Sequence, residues 1–393
     1  MVTPAMWMLT IVRNGAETPP SRRVAVARWA PEIDVVPWSD APHRSSGEDR
    51  CMSSNEDDIA APASASLLEP SPPAEHLAYH RLARLRPRYR WWRMLLTGLV
   101  GVALYIAILM LIIVPLIVLS MFVPGLGAEM QVLLATLQYF DLDRPWLLVA
   151  MVLPLILMIP ALLLASRIIE GPGVGLLSSV TGRLRMAWLG KSLLLGAAVF
   201  AVYYAVVFGW SALTGDAIVV DFTHPGIWVM VLLVLVLIPF QAAAEEYVFR
   251  GYLMQLVGGW LRHPAFAILL PVPLFVLGHG YDVWGAASVG MFAIVAAWLT
   301  WRTGGLEAAI SLHIVNNVLI FLLGSVALVD ANATSGTPVD LLASGLAMIV
   351  YAVLADRWAG KLGIARTAGI APRAASFTAG RNGTHQLDRV LRG

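Results

Sequence analysis

Hydrophobic residues along this chain gather in long runs, and polar residues collect between the runs. Residues 94–123, 146–165 and 227–240 are almost free of polar side chains. A helix that crosses the hydrocarbon core of a bilayer needs about 20 apolar residues, whereas a helix on a soluble core keeps a polar face. The pattern therefore predicts membrane-spanning helices.

The same pattern continues to residue 354 and predicts an all-α fold, a polytopic membrane helix bundle of about eight transmembrane helices within residues 81–356. The polar breaks between the runs set the expected ends of each helix. The predicted spans are residues 94–123, 146–165, 192–213, 227–248, 265–279, 286–301, 308–328 and 341–354.

Charged residues between the spans predict the orientation of the bundle. A basic and aromatic collar at residues 81–93 precedes the first span, and basic residues next to spans favour the cytoplasmic side. With an even number of spans, both termini are expected in the cytoplasm of a cell-membrane protein. The loops predicted to be cytoplasmic contain Arg183, Arg185, Lys191, Arg262 and Arg302, and those predicted to be outside contain Glu129, Asp141, Asp216, Asp221 and Asp330.

Composition changes sharply at the two ends of the chain. Residues 1–80 are rich in Pro, Ala, Ser and mixed charge, which predicts a disordered polar region, and residues 357–393 form a basic tail expected in the cytoplasm. Over all 393 residues, 58% are hydrophobic and 13% are charged, so membrane lipids are expected partners and nucleic acid is not. The single cysteine, Cys51, excludes an intramolecular disulfide.

Ionisable residues at the end of the fourth span are the first candidates for chemistry. Glu246 and Arg250 are four residues apart and are expected to pair along one helical face, which leaves Glu245 without a local partner. A buried carboxylate needs a partner or water, so Glu245 calls for an explanation. A helix end that reaches the lipid headgroups is the alternative interpretation.

Three further polar residues lie in or beside later spans. His279 ends the fifth span, while His313 and Asn317 are four apart on one side of the seventh. Each alone is typical of hydrogen bonding between membrane helices. Together with Glu245 they are the parts of a general base and an oxyanion site, which favours an active site.

Depth in the membrane is compatible with this grouping. If the fourth and fifth spans extend to a turn near residues 258–263, a rise of 1.5 Å per residue puts Glu245 about 20 Å and His279 about 24 Å above the turn. The glycines Gly278 and Gly280 flank His279 and allow the chain to break there. The two side chains are then expected to meet within the membrane.

The ordered motifs Glu245-Glu246-x-x-x-Arg250, Phe275-x-x-x-His279 and His313-x-x-x-Asn317 resemble the signature of the CPBP family. This family comprises type II CAAX prenyl endopeptidases and bacteriocin-processing or immunity-associated membrane proteins. The resemblance covers a core at about residues 226–328 and implies an intramembrane endopeptidase that cleaves membrane-associated or lipidated peptides and proteins.

By resemblance, Glu245 with His279 activates a water, His313 with Asn317 stabilises the oxyanion, and Glu246 with Arg250 orients the motif. A zinc ion held by Glu245, His279 and His313 is the alternative, and the metal-free mechanism is favoured because Asn317 suits a hydrogen-bond donor better than a zinc ligand. Two other functions use the same buried cluster. One is a transporter or proton relay, and the other is a bacteriocin-immunity or scaffolding protein.

Overall fold

Long apolar helices dominate the computed structural model, which describes residues 75–136, 139–215 and 218–370. All of these residues belong to one compact unit. Seven of the described helices are long and apolar enough to cross a membrane, which agrees with the predicted all-α bundle. They span Trp91–Phe122, Trp146–Ile169, Met186–Thr214, Ile227–Trp260, Val283–Thr303, Glu307–Ser325 and Pro338–Lys361.

The structure divides some of these spans into shorter elements. The helices in chain order are α1 Trp91–Phe122, α2 Pro124–Ala135, α3 Trp146–Ile156, α4 Met158–Ile169, α5 Met186–Thr214, α6 Ile227–Glu246, α7 Met254–Trp260, α8 Pro264–Leu269, α9 Val272–Leu277, α10 Val283–Thr303, α11 Glu307–Ser325 and α12 Pro338–Lys361. A turn of π-helix, Tyr247–Leu253, joins α6 to α7 without a break.

The predicted span at residues 265–279 differs most from expectation. It forms α8 and α9, two six-residue helices that together are too short to count among the seven long spans. Pro271 and Pro273 explain the break, because proline removes a helical hydrogen bond and its ring clashes with the preceding turn. The chain then leaves the helix at Gly278, and Gly280 has a φ of 61°.

Charges of both signs lie at each end of the bundle, since Arg144 lies beside Glu129 and Asp141, and Glu307 lies beside Arg185. At one end, Arg185 donates to the carbonyl oxygens of Thr303 and Ala365. At the other end, acidic loops meet, and Asp221 N–H donates to the carbonyl oxygen of Val326. The assignment of the basic end to the cytoplasm stays a prediction.

Ordered structure begins before the first span. The strand β1, Glu75–Ala78, pairs antiparallel with β2, Thr367–Ile370, and a 3-10 helix follows at Tyr79–Leu85. Residues 75–80, predicted to be disordered, are therefore structured because they pair with the chain after α12 and bury Tyr79. The rest of the predicted disordered region, residues 1–74, and the end of the basic tail, residues 371–393, lie outside the described residues.

One arginine of the basic collar is buried rather than facing lipid headgroups. Arg86 pairs with Glu170 at 2.8 Å, and both side chains are almost fully buried. Thr97 Oγ1 donates to the same carboxylate at 2.8 Å. This ion pair fastens the segment before the first span to the ends of α1 and α4.

The helix that carries the candidate carboxylates lies in the middle of the protein. α6 packs closely against α11, and α11 packs against α5. The largest buried cluster, which includes Phe275, Phe292 and Val315, lies where α9, α10 and α11 meet. The candidate residues on α6 and α11 therefore face each other inside the bundle.

Gly258 on α7 permits the 3-10 helix Tyr79–Leu85 to approach α7 closely. A Cβ atom at this position would collide with the backbone carbonyl of His80 in the 3-10 helix. By contrast, Gly209 in α5 has open space around its missing side chain.

We expect Gly258→Ala to lower the free energy of unfolding by about 1–3 kcal/mol, since backbone atoms must shift to admit the methyl group. Thermal unfolding in detergent micelles measures the effect, with Gly209→Ala as the control. Equal unfolding temperatures for the two variants would show that the close approach is not needed.

Candidate active site

The first part of the site is built where α6 passes into the π-helical turn. Glu245 and Glu246 are the last two residues of α6, and Arg250 lies in the turn. All three side chains are buried, with Glu246 fully so. π-Helical turns are rare and occur frequently at functional sites, because the extra residue changes the direction in which side chains point.

Glu246 and Arg250 form the ion pair that their spacing predicted. Arg250 Nη1 donates to Glu246 Oε1 at 3.0 Å. The guanidinium group also lies over the rings of Phe275 and Phe292, 4.4 and 5.5 Å from their centroids. Cation–π contacts of this kind are strongest where water is excluded, so the two rings stabilise the buried cation.

His313 lies between the two carboxylates. Its Nδ1 donates to Glu246 Oε1 at 2.8 Å, and its Nε2 is 3.7 Å from Glu245 Oε2. The first distance is a short hydrogen bond and the second is too long for one. Arg250 holds the Glu246 carboxylate in place. Glu246 in turn holds the His313 ring with Nε2 directed at Glu245.

His279 reaches the same region from the end of α9. Its Nδ1 donates to the carbonyl oxygen of Phe275 at 2.7 Å, and its ring packs 4.6 Å from the Phe275 ring. The Phe275 ring also lies 6.5 Å from the His313 ring, so the two histidines share one aromatic neighbour. Within the described residues, His279 Nε2 makes no hydrogen bond. The bond from Nδ1 holds the ring in place and leaves Nε2 free to contact another group.

Asn317 does not contact His313 through a hydrogen bond in the described part of the chain. Its Nδ2 donates instead to Gln241 Oε1 at 3.2 Å, and its Oδ1 accepts from Asn316 Nδ2 at 3.0 Å. Gln241 Nε2 in turn donates to Glu245 Oε1 at 2.8 Å.

The expectation that Glu245 has no local partner is therefore wrong, because Gln241 lies four residues earlier on the same helical face. Gln241 and Asn316 are the site residues that sequence reasoning missed. A signal for the first was present, since Gln241 is a polar residue four positions before Glu245 at the end of an apolar run. Phe292 was also missed, and an aromatic residue in an apolar helix gives no such signal.

The buried charges in this cluster do not cancel if both histidines are neutral. Two carboxylates, Glu245 and Glu246, face a single arginine. A proton on His313 or on Glu245 makes the group neutral, which lowers the large free-energy cost of burial.

Two carboxylate oxygens of the cluster, Glu245 Oε2 and Glu246 Oε2, are buried without a hydrogen-bond partner in the described structure. The first of them lies 3.7 Å from His313 Nε2. Glu245 Oε1 is bound by Gln241. An unsatisfied buried carboxylate oxygen costs more than a neutral polar group, so such an atom in a folded protein points to a ligand or a reaction.

The zinc alternative requires three ligands that converge on one point. Among the described residues, no group of three His, Cys, Asp or Glu side chains is arranged to hold a metal ion. In both His279 and His313 the hydrogen-bonded atom is Nδ1, which leaves Nε2, and zinc-binding histidines commonly use one ring nitrogen in this way. The choice between zinc and the metal-free mechanism stays a prediction.

Comparison with known proteins identifies the region that carries this geometry. Residues 225–319 match the family described as "Type II CAAX prenyl endopeptidase Rce1-like". This region of the chain is therefore similar to that family, and the resemblance indicated by the three motifs is confirmed for it.

A curated relative matches over a similarly limited length. The "Uncharacterized protein YyaK" of Bacillus subtilis (strain 168) is 32% identical over 101 residues, which are 24% of this chain and 33% of that protein. The chain thus spans about a third of the length of this relative. No solved structure matches.

We expect Arg250→Met to lower the free energy of unfolding by about 3–5 kcal/mol, because it leaves the Glu246 carboxylate buried without its cation. Chemical or thermal unfolding in micelles measures the loss. The control is Arg144→Met, which removes a partly exposed arginine lying 3.7 Å from Glu129 and 3.6 Å from Asp141, and should change stability by at most about 1 kcal/mol. Similar small losses in both variants would contradict the buried ion pair.

Proposed function

We propose that this protein is an intramembrane endopeptidase, a hydrolase that cleaves membrane-associated or lipidated peptides and proteins with a water molecule activated by Glu245. The match of residues 225–319 to a CAAX prenyl endopeptidase family supports the general activity. The substrate and the mechanism rest on the geometry of the buried cluster.

The observation that carries the proposal is the free oxygen of Glu245. Oε2 has no hydrogen-bond partner among the described residues, and His313 Nε2 is 3.7 Å away. This spacing suits one oxygen atom that contacts both groups.

In the proposed reaction, Glu245 Oε2 takes a proton from water while the water oxygen forms a bond to the peptide carbonyl carbon. The carbonyl oxygen becomes an oxyanion. The carbon–nitrogen bond then breaks, and the proton held by Glu245 passes to the leaving amine. His279 assists Glu245 through its Nε2 atom. The hydrogen bond from Nδ1 to the Phe275 carbonyl oxygen holds the ring and leaves Nε2 free.

Stabilisation of the oxyanion falls to Asn317 and His313. An amide nitrogen carries two N–H groups, and Asn317 uses one of them on Gln241, so the other is available. His313 donates through Nε2 only when its ring carries a second proton, since Nδ1–H is bound to Glu246. Buried donors held in place before the reaction stabilise developing charge most strongly.

Substrate access is proposed from the basic end of the bundle. His313 is the seventh residue of α11, so it lies about 9 Å from the helix start beside the Arg185–Glu307 ion pair. If the basic end faces the cytoplasm, as the loop charges predict, the site suits cytoplasmic peptide segments that lie close to the bilayer.

The first test is substitution of the general base. Glu245→Gln keeps the shape of the side chain and its capacity to accept from Gln241, but it cannot take a proton. We expect it to lower the rate of cleavage of a membrane-anchored peptide by at least about 100-fold, and His279→Ala to do the same. Cleavage in micelles, followed by mass spectrometry, is the assay.

Glu129→Gln is the matched control, since Glu129 is a half-exposed carboxylate at the opposite end. It should cleave at the wild-type rate. Normal turnover by Glu245→Gln would contradict the assignment. Ion flux that depends on Glu245 in vesicles, without cleavage, would favour a transporter or proton relay instead.

A second test addresses the cofactor. In the metal-free mechanism, purified protein treated with a strong chelator keeps its full cleavage rate, because Glu245 and the side-chain donors perform every step. Metal content is measured on the same samples. Loss of activity on chelation, with restoration by about one equivalent of zinc, would support the zinc site instead.

A further inference from the structure

Three side-chain amides form a continuous hydrogen-bonded chain that ends on the proposed general base. Asn316 Nδ2 donates to Asn317, Asn317 Nδ2 donates to Gln241, and Gln241 Nε2 donates to Glu245, at 3.0, 3.2 and 2.8 Å respectively. All four side chains are buried. Every amide donates in the same direction, toward the carboxylate.

The carboxylate dictates this direction. An ionised carboxylate only accepts hydrogen bonds, so Gln241 must present its nitrogen to Glu245 and its oxygen to Asn317. Asn317 must then present its nitrogen to Gln241. The orientation of each amide is thus fixed by its neighbour on the side of Glu245. Hydrogen bonds in such a chain strengthen one another.

We infer that Gln241 is a positioning residue that sets the geometry of both halves of the site, an inference that rests on the proposed function. By binding Oε1, it leaves Oε2 as the only oxygen of Glu245 free for water. By accepting from Asn317, it turns the amide nitrogen of Asn317, rather than its oxygen, toward the reacting carbonyl.

The competing explanation is that Gln241 simply joins two helices. Buried amides often link membrane helices, and Gln241 on α6 does bond Asn317 on α11. A purely structural amide would affect stability, but it would leave the protonation of Glu245 unchanged. The two explanations therefore differ in pH dependence.

The chain supplies a matched control on the same continuous helix. Gln255 is also buried, and its Nε2 donates to the carbonyl oxygen of Leu176 at 2.8 Å. It lies 14 residues beyond Gln241, about 21 Å along the helix, and has no part in the proposed site. Gln255→Leu removes a comparable buried hydrogen bond away from the reaction.

The experiment compares wild type, Gln241→Leu and Gln255→Leu across pH with a membrane-anchored peptide. We expect Gln241→Leu to lower kcat about tenfold with little change in KM, and to move the acidic limb of the pH–rate profile up by about one pH unit. The shift is upward because loss of a donor disfavours the ionised form of Glu245. Gln255→Leu should keep the wild-type profile.

Gln241→Met is a second variant that keeps the length of the side chain. Methionine cannot donate a hydrogen bond to Glu245, so the acidic limb should again move up by about one pH unit. This variant keeps the test decisive if the leucine variant fails to fold.

Infrared titration separates failure of the inference from failure of the proposed function. The carbonyl band of protonated Glu245, identified by its loss in Glu245→Gln, disappears as pH rises and needs no substrate. An upward shift of its midpoint in the Gln241 variants supports the inference even if no peptide is cleaved. An unchanged midpoint together with an unchanged pH–rate profile would overturn it while leaving the peptidase activity intact.

Discussion

Balancing charge inside an apolar helix bundle is the constraint on which the rest of this site depends. Glu245 and Glu246 lie side by side at the end of α6, where water is largely excluded. Arg250 compensates for one of them, and the His313 ring lies between the two carboxylates. Unpaired, either carboxylate would destabilise the fold by several kcal/mol. The arrangement that keeps the bundle folded is thus also one that holds an imidazole beside a free carboxylate oxygen.

Each neighbouring element contributes to this balance of buried charge. The π-helical turn keeps Arg250 beside Glu246, and the rings of Phe275 and Phe292 cover the guanidinium group. α11 brings His313 between the carboxylates. The proline-broken α8–α9 segment ends early, which lets His279 enter from a loop rather than from a regular helix. Irregular backbone at membrane depth is tolerated only where protein covers it, and here it lies against the site.

Much of this arrangement was predictable from sequence because membranes impose simple rules. Hydropathy predicted the long helices, and four-residue spacing predicted the Glu246–Arg250 pair. Contacts between helices were harder. That His313 bonds Glu246 and that Asn317 bonds Gln241 depend on how α6 and α11 are rotated about their axes, which no local pattern specifies. The ordered segment at residues 75–80 was missed because its partner strand, Thr367–Ile370, lies almost 300 residues away.

The central claim is that Glu245 uses water to cleave a peptide within the membrane. The most direct measurement is mass spectrometry of a membrane-anchored peptide library incubated with the purified protein in ¹⁸O-labelled water. The account predicts cleaved products that carry ¹⁸O in the newly formed carboxyl group, and none from protein in which Glu245 is replaced by glutamine. An intact library in the presence of correctly folded wild-type protein would contradict it.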